Sequence, residues 1–340
     1  MQEKMTITRE ELRQLEAKPK TKTSYVINQL ICLLPIAMGG IELYSYWFVP
    51  NYGTNQITNV YAGVLIFFLS ILVIRFVVGI FNEQVHEKLR YKAALYTAIF
   101  FLLFLYDFMT LKTGKLTLPF FTWPDLIFNA MIDDRALLLK CIHNSMIMLF
   151  TGYFVGVIVG IISGLLAGCS KRVNYWIDPI MKVLGPIPVT TWLPIVLFFA
   201  ASLFKGSVFL IALGVWYPVT LSTIAGIRNV KAEFFEVAQT LGGKPWQLIK
   251  NVAIPAAMPS ILQGMTQGMS VACTALMAAE MLGVDAGLGW YITWQRGWAE
   301  YAKVYAAVII ICLIFIIVTK VLETIKKKLL HWQKGVGNNG

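Results

Sequence analysis

Long apolar runs constrain this chain more than any other feature of it. Residues 60–81 and 304–322 each hold a single charged side chain, and about 18 predominantly apolar residues are enough for a helix to cross a bilayer core. In hydrocarbon every backbone N–H and C=O must be bonded within the segment, so spans of this kind are α-helical. The whole chain of 340 residues is 57% hydrophobic and 14% charged, with a mean hydropathy of +0.67. That is more apolar surface than a soluble domain can hide. The expected fold is an all-α polytopic membrane protein with about eight spans, at 25–48, 60–81, 93–111, 145–168, 181–204, 208–227, 261–284 and 304–322. No cleavable signal peptide is expected, because the first 24 residues are polar and rich in Lys and Glu.

An even number of spans puts both ends on one side, and the basic residues say which. Twenty Lys and Arg fall in the N-terminal tail, 82–92, Lys171 and Arg172, 228–260 and the C-terminal tail, against six in the opposite loops. Positively charged loops stay in the cytoplasm. Both termini and 228–260 are therefore expected inside, in a multi-pass protein of the cell membrane. The net charge of +11 is then a matter of topology, and no nucleic-acid partner is expected. The five cysteines form no CxxC pair, and His86, His143 and His331 stand apart, so neither a metal site nor a catalytic constellation is expected. In the N-terminal tail, Thr8 with Glu11 has capping-box spacing and Pro19 would stop the helix.

Between the sixth and seventh spans lies a patterned polar insert, AEFFEVAQTLGGKPWQLIKNVAIPAAMPS. Phe234, Val237, Ala238 and Leu241 recur at helical spacing, with Glu233, Glu236 and Gln239 on other faces. Gly242 and Gly243 offer a turn, including at positive φ. Pro245 suits the first turn of a second helix whose apolar stripe is Trp246, Ile249 and Val252. Pro255 disfavours helix at Ile254 and is expected to end the motif. The pattern predicts a helix–Gly–helix element on the cytoplasmic face, either resting on lipid headgroups or serving a partner.

The residues Glu236-Val237-Ala238, then Gly242 after three residues, then Val252-Ala253-Ile254-Pro255 after nine more, resemble the EAA loop of binding-protein-dependent ABC importer permeases. Every spacing agrees, and Val237, Val252 and Ile254 depart conservatively. LPFFTWPD at 118–125, DPIMKVLGPIPVTTWLPI at 178–195 and AAEMLGVDAGLGWYI at 278–292 resemble the taurine, nitrate and aliphatic-sulfonate branch. The resemblance covers roughly 116–322. Members of that branch have one span before the extracytoplasmic segment, and here there are three. The implied organisation is a polar tail at 1–24, two additional spans within 25–92, a permease domain at 93–325 with its core at about 140–325, and a basic tail at 326–340.

The resemblance implies that the insert docks in a groove of a cytoplasmic ATPase and transmits its closure. Phe234, Glu236, Ala238, Leu241, Gly242 and Pro255 would carry that coupling. The chain has no G-x-x-x-x-G-K-[ST] loop, so ATP and Mg would be bound by the partner, and no cofactor is expected here. The implied assembly is a homodimer with two ATPase subunits and an extracytoplasmic solute-binding protein, importing a small sulfonate, nitrate or similar anion, or a small heterocyclic nutrient.

Gly152, Gly156, Gly160, Gly164 and Gly168 recur every four residues and predict a bare ridge for close helix packing. Intrachain packing is the favoured use, with a dimer seam as the other. Pro186, Pro188 and Pro194 are expected to interrupt the fifth span, and Pro218 the sixth. Thr190, Thr191, Gln267, Ser270, Thr274 and Glu280 are the candidate pathway residues, with 267, 270 and 274 spaced to share one helical face. Glu280, an acid within a span, either serves the pathway or pairs with an interhelical donor. Glu42 and Arg75 lie in the added spans, where a mutual pair is allowed. The rival reading is an ion-coupled secondary transporter working through Glu280 or Glu42. It lacks the repeated halves such carriers often show, and it leaves the insert unexplained.

Overall fold

The computed structural model describes residues 22–331 apart from 54, 284 and 285. The Thr8–Glu11–Pro19 pattern and the tail from 332 onward lie outside the described residues. All regular structure among those residues is helical, as the spans require. Among the described residues six helices are long and apolar enough to cross a membrane, or seven if one sharply bent pair is counted as a single span.

The chain divides into two compact units, Met1–Asn129 and Ala130–Gly340. The first holds α1 (Lys22–Phe48), α2 (Val60–Phe81) and α3 (Glu83–Asp107), the last continuing through a π turn at Phe108–Lys112. Tyr46, Tyr61, Leu65, Leu111 and Trp123 form its buried centre. Two polar fastenings hold it. Lys112 Nζ donates to the Tyr46 and Val49 carbonyls at 2.8 Å each and to Asn51 Oδ1 at 2.7 Å. Asp125, in the first turn of α4 (Pro124–Asp133), accepts from Thr58 N at 2.6 Å, Thr58 Oγ1 at 2.8 Å and Tyr61 N at 3.0 Å. The Glu42–Arg75 pair allowed by the sequence does not form. Glu42 is buried and accepts from the Tyr61 hydroxyl, whereas Arg75 is exposed.

In the second unit α8 (Leu203–Arg228) is the central helix, gripped between α5 (Arg135–Cys169) and α11 (Ile254–Gly283). The glycine ridge of α5 meets α8 residue for residue. A Cβ placed on Gly152 would lie 2.6 Å from Ile211 Cβ, on Gly156 2.6 Å from the Ala212 carbonyl oxygen, and on Gly160 2.9 Å from Val219 Cβ. On Gly164 it would lie 2.5 Å from Thr223 Cβ, and on Gly168 2.9 Å from Ile227 Cδ1. The ridge is thus an intrachain seam, four-residue ladder against four-residue ladder. Trp216 and Thr220 of α8 lock it by hydrogen bonds of 2.9 Å each with Ser163 of α5.

The expected interruption of the fifth span is present, while the expectations for Pro194 and Pro218 need correction. The fifth span is not one helix: α6 (Lys171–Leu184) ends at Gly185, and after a 3-10 turn at Val189–Trp192 the chain resumes as α7 (Leu193–Phe199), bent by 90°. Pro186 and Pro188 cause the break, because each lacks an N–H and disfavours helix in the residue before it. Pro194, in the first turn of α7, starts a helix instead of interrupting one. Pro218 does not interrupt α8, which runs through it with the proline buried. There α11 packs so closely that a Cβ on Gly264 would lie 2.9 Å from the Pro218 carbonyl oxygen. A kinked turn is stable where a neighbouring helix closes over it. The span expected at 261–284 falls in α11, whose 30 residues exceed the roughly 20 a span needs but which is less apolar than the six above. Gln263, Thr266, Gln267, Ser270, Thr274 and Glu280 make it so.

Candidate functional site

The insert forms α9 (Ala232–Thr240), a two-glycine turn, and α10 (Pro245–Leu248). Gly242 N donates to Gln239 O and Gly243 N to Ala238 O, both at 2.9 Å, which is the paired bonding of a Schellman cap. That cap needs one left-handed residue, and Gly242 supplies it at φ +79°. Gly243 is needed for a different reason: a Cβ there would lie 2.6 Å from the Ala238 carbonyl oxygen. Gln247 Oε1 then accepts from Lys244 N at 2.8 Å and starts the second helix. Phe234, Val237 and Leu241 share one face of α9 and are exposed, as is Trp246. Glu236 is exposed beside them and Ala238 is half-covered.

Pro255 does not end this element. Ile254 is helical, at φ −63° and ψ −51°, and the chain passes from α10 through a π turn at Ile249–Ala253 directly into α11. The wider turn opens the helix wall where the proline ring would strike the preceding turn and where its N–H is missing. The local rule about residues before proline is overridden there.

On α11, Gln267, Ser270 and Thr274 are exposed along one face, the face their spacing indicates. Thr190 and Thr191, on the 3-10 turn, are exposed too. Thr274 Oγ1 donates to its own helix, to Val271 O at 2.8 Å.

Glu280 sits elsewhere. It is 1% exposed, accepts from Ser145 Oγ of α5 at 2.5 Å and from Gly289 N at 2.8 Å. Ser145 Oγ in turn accepts from Leu288 N at 3.0 Å. Carboxylate and hydroxyl thereby bind the free N–H groups at the start of α12 (Leu288–Gly297), where the helix dipole favours an anion. Gly287 and Gly289 make room: a Cβ on Gly287 would fall 2.5 Å from the carboxylate, and on Gly289 2.8 Å from Glu280 Cβ. Tyr291 extends the fastening from α12 to Asp134, donating its hydroxyl to Oδ2 at 2.7 Å. Ser145 carries no periodic signature and was not legible as Glu280's partner; the Gly-Leu-Gly segment was visible without its purpose. Glu280→Ala leaves these donors buried and unmatched, at roughly 1–3 kcal/mol for each. A clear fall in the thermal unfolding midpoint of the detergent-solubilised protein is expected, with Glu280→Gln falling less, since an amide oxygen still accepts.

Comparison with known proteins places this region in a family. Residues 156–331 match the binding-protein-dependent transport system inner membrane component family, a stretch lying wholly within the second unit. The chain is 30% identical over 91 residues to the taurine transport system permease protein TauC of Escherichia coli, covering 27% of this chain and 33% of that one. It is 30% identical over 141 residues to the nitrate import permease protein NrtB of Synechococcus elongatus, covering 40% and 50%. These matches span a third to a half of the relatives' own length. A solved amino acid ABC transporter shares the fold, with a TM-score of 0.50 at 21% identity over 58% of this chain and 95% of that one. With the family match running from Gly156 of α5 through the insert and Glu280 to the last span, the chain belongs to the binding-protein-dependent transport system inner membrane components.

Proposed function

We propose that this chain is the permease subunit of an ATP-driven importer, forming the solute pathway while a separate subunit hydrolyses ATP. The observation that carries this reading is the insert. A rigidly capped helix pair presents Phe234, Val237, Leu241 and Trp246 to solvent, and large apolar side chains grouped in this way mark a surface for another protein. Two ATPase subunits, each holding ATP and Mg, would engage the inserts of two copies of this chain, and an extracytoplasmic binding protein would deliver solute. Thr190, Thr191, Gln267, Ser270 and Thr274 would line the pathway, being exposed polar groups, the last three on a helix whose other side packs in the core. Taurine and nitrate in the relatives' names favour a small anion, a sulfonate or nitrate, with a small heterocyclic nutrient as the other class. Identifying the ligand that co-purifies with the cognate binding protein decides between them. A chain that neither retains an ATPase subunit on purification nor stimulates its hydrolysis would refute the reading.

The orientation has its own test. In a Cys-free background, Lys244→Cys is expected to react with an impermeant maleimide only in inverted vesicles, and Lys115→Cys only in intact cells. Labelling of position 244 in intact cells would reverse the topology.

A further inference from the structure

The added N-terminal spans contain an arginine that the fold leaves unmatched. Arg75 lies six residues before the end of α2, about 9 Å along the helix axis. It is exposed in an otherwise apolar span. Among the described residues no carboxylate pairs with it. A charge at that depth reaches toward the headgroup layer and draws a counter-ion to itself.

The geometry beside it is fixed. Asn82 alone links α2 to α3, and its side-chain oxygen caps α3 by accepting from Gln84 N at 3.0 Å. Gly79 allows the two helices to touch, since a Cβ there would lie 3.3 Å from His86 Cα. Further along, α2 and α3 enclose an open cleft of about 720 Å³. Its walls carry Arg75, Lys88 and Lys92 against one acid, Glu87, and the apolar Ile74 and Val78 beside Tyr91.

We propose that this cleft binds an anionic phospholipid. Arg75, Lys88 and Lys92 take the phosphate, while Ile74 and Val78 lie along the first methylenes of an acyl chain. Cationic clefts between spans at headgroup level suit such lipids, and the tight turn at Asn82 holds the site formed before lipid arrives. Free inorganic phosphate has the same headgroup chemistry without the chain, so it is the source to be distinguished.

The test uses the full chain in neutral detergent, with native mass spectrometry of adducts formed with phosphatidylglycerol or phosphatidylcholine of identical chains. A preference of about tenfold for phosphatidylglycerol is expected, reflecting three basic contacts. The combined variant Arg75→Gln, Lys88→Gln and Lys92→Gln is expected to lose it. The matching triple change at Lys326, Lys327 and Lys328 is expected to keep it. Should the first triple variant fail to fold, Lys92→Gln alone, at an exposed position, is expected to weaken the preference measurably. Equal binding of both lipids by the unaltered chain would overturn the proposal. So would retention of the preference in the cleft variants, or complete displacement of lipid by millimolar phosphate.

Discussion

A Gly242→Val protein is expected to reach the membrane with its spans inserted and to transport nothing. The site is sterically open, with no atom within 4 Å of a Cβ placed there, so nothing is lost through a clash. What valine meets is the backbone itself. Gly242 has φ +79°, and an ordinary residue pays roughly 1–2 kcal/mol in the left-handed region, a β-branched one more. The turn escapes by giving up the bonds from Gly242 and Gly243 to Gln239 and Ala238, which re-aims α9 relative to α10. Asparagine tolerates the left-handed region better than other non-glycine residues, so Gly242→Asn is expected to retain much of the activity. The measurements are co-purification of the ATPase subunit and solute-stimulated hydrolysis in liposomes. Full retention of both in Gly242→Val would remove the insert from the coupling path.

Gly156→Val is expected to fail at an earlier stage, in the fold. Its Cβ would press 2.6 Å from the Ala212 carbonyl oxygen and 2.7 Å from Val215 Cβ. Backbone atoms cannot rotate aside, so α5 and α8 must separate along the whole ladder from Gly152 to Gly168. Overpacking of a seam typically costs 1–3 kcal/mol, and here the contacts at four neighbouring glycines loosen with it, so about 3 kcal/mol is expected. Thermal unfolding and size-exclusion profiles in detergent check this. Gly63→Ala in α2 is the control, because a Cβ there meets nothing within 4 Å. If Gly156→Val matches the unaltered protein in stability, α5 and α8 do not depend on the ladder.

How much of this was legible beforehand varies with the range of the interaction. The glycine ridge announces itself by its spacing, but its partner face on α8 does not. Ile211, Val215, Val219, Thr223 and Ile227 belong to a largely apolar run with no single polar face, so nothing marks one side for contact. The two-glycine turn is local and was readable, whereas the passage of Pro255 into a continuous helix depends on a π turn that no short-range rule anticipates. The interruption of 181–204 was readable from Pro186 and Pro188, but the 90° bend and the start of α6 back at Lys171 were not, because both depend on packing. The pairing of Glu280 with Ser145 joins residues 135 apart in sequence, and such a contact leaves no periodic trace.

The unbroken passage from α10 through the π turn into α11 gives the insert a lever arm. At about 1.5 Å per residue, the 30 residues from Ile254 to Gly283 make a rod of roughly 45 Å. A tilt of about 5° applied at Trp246 would displace the far end of that rod by about 4 Å. The exposed polar face of Gln267, Ser270 and Thr274 rides midway along it. At the far end of that rod sits the Glu280 clasp, gripping α5 and the start of α12, so a rotation imposed at the insert would appear there as strain. Under the proposed coupling, the stiffness of α11 would also set which bonds yield if the far side is to open.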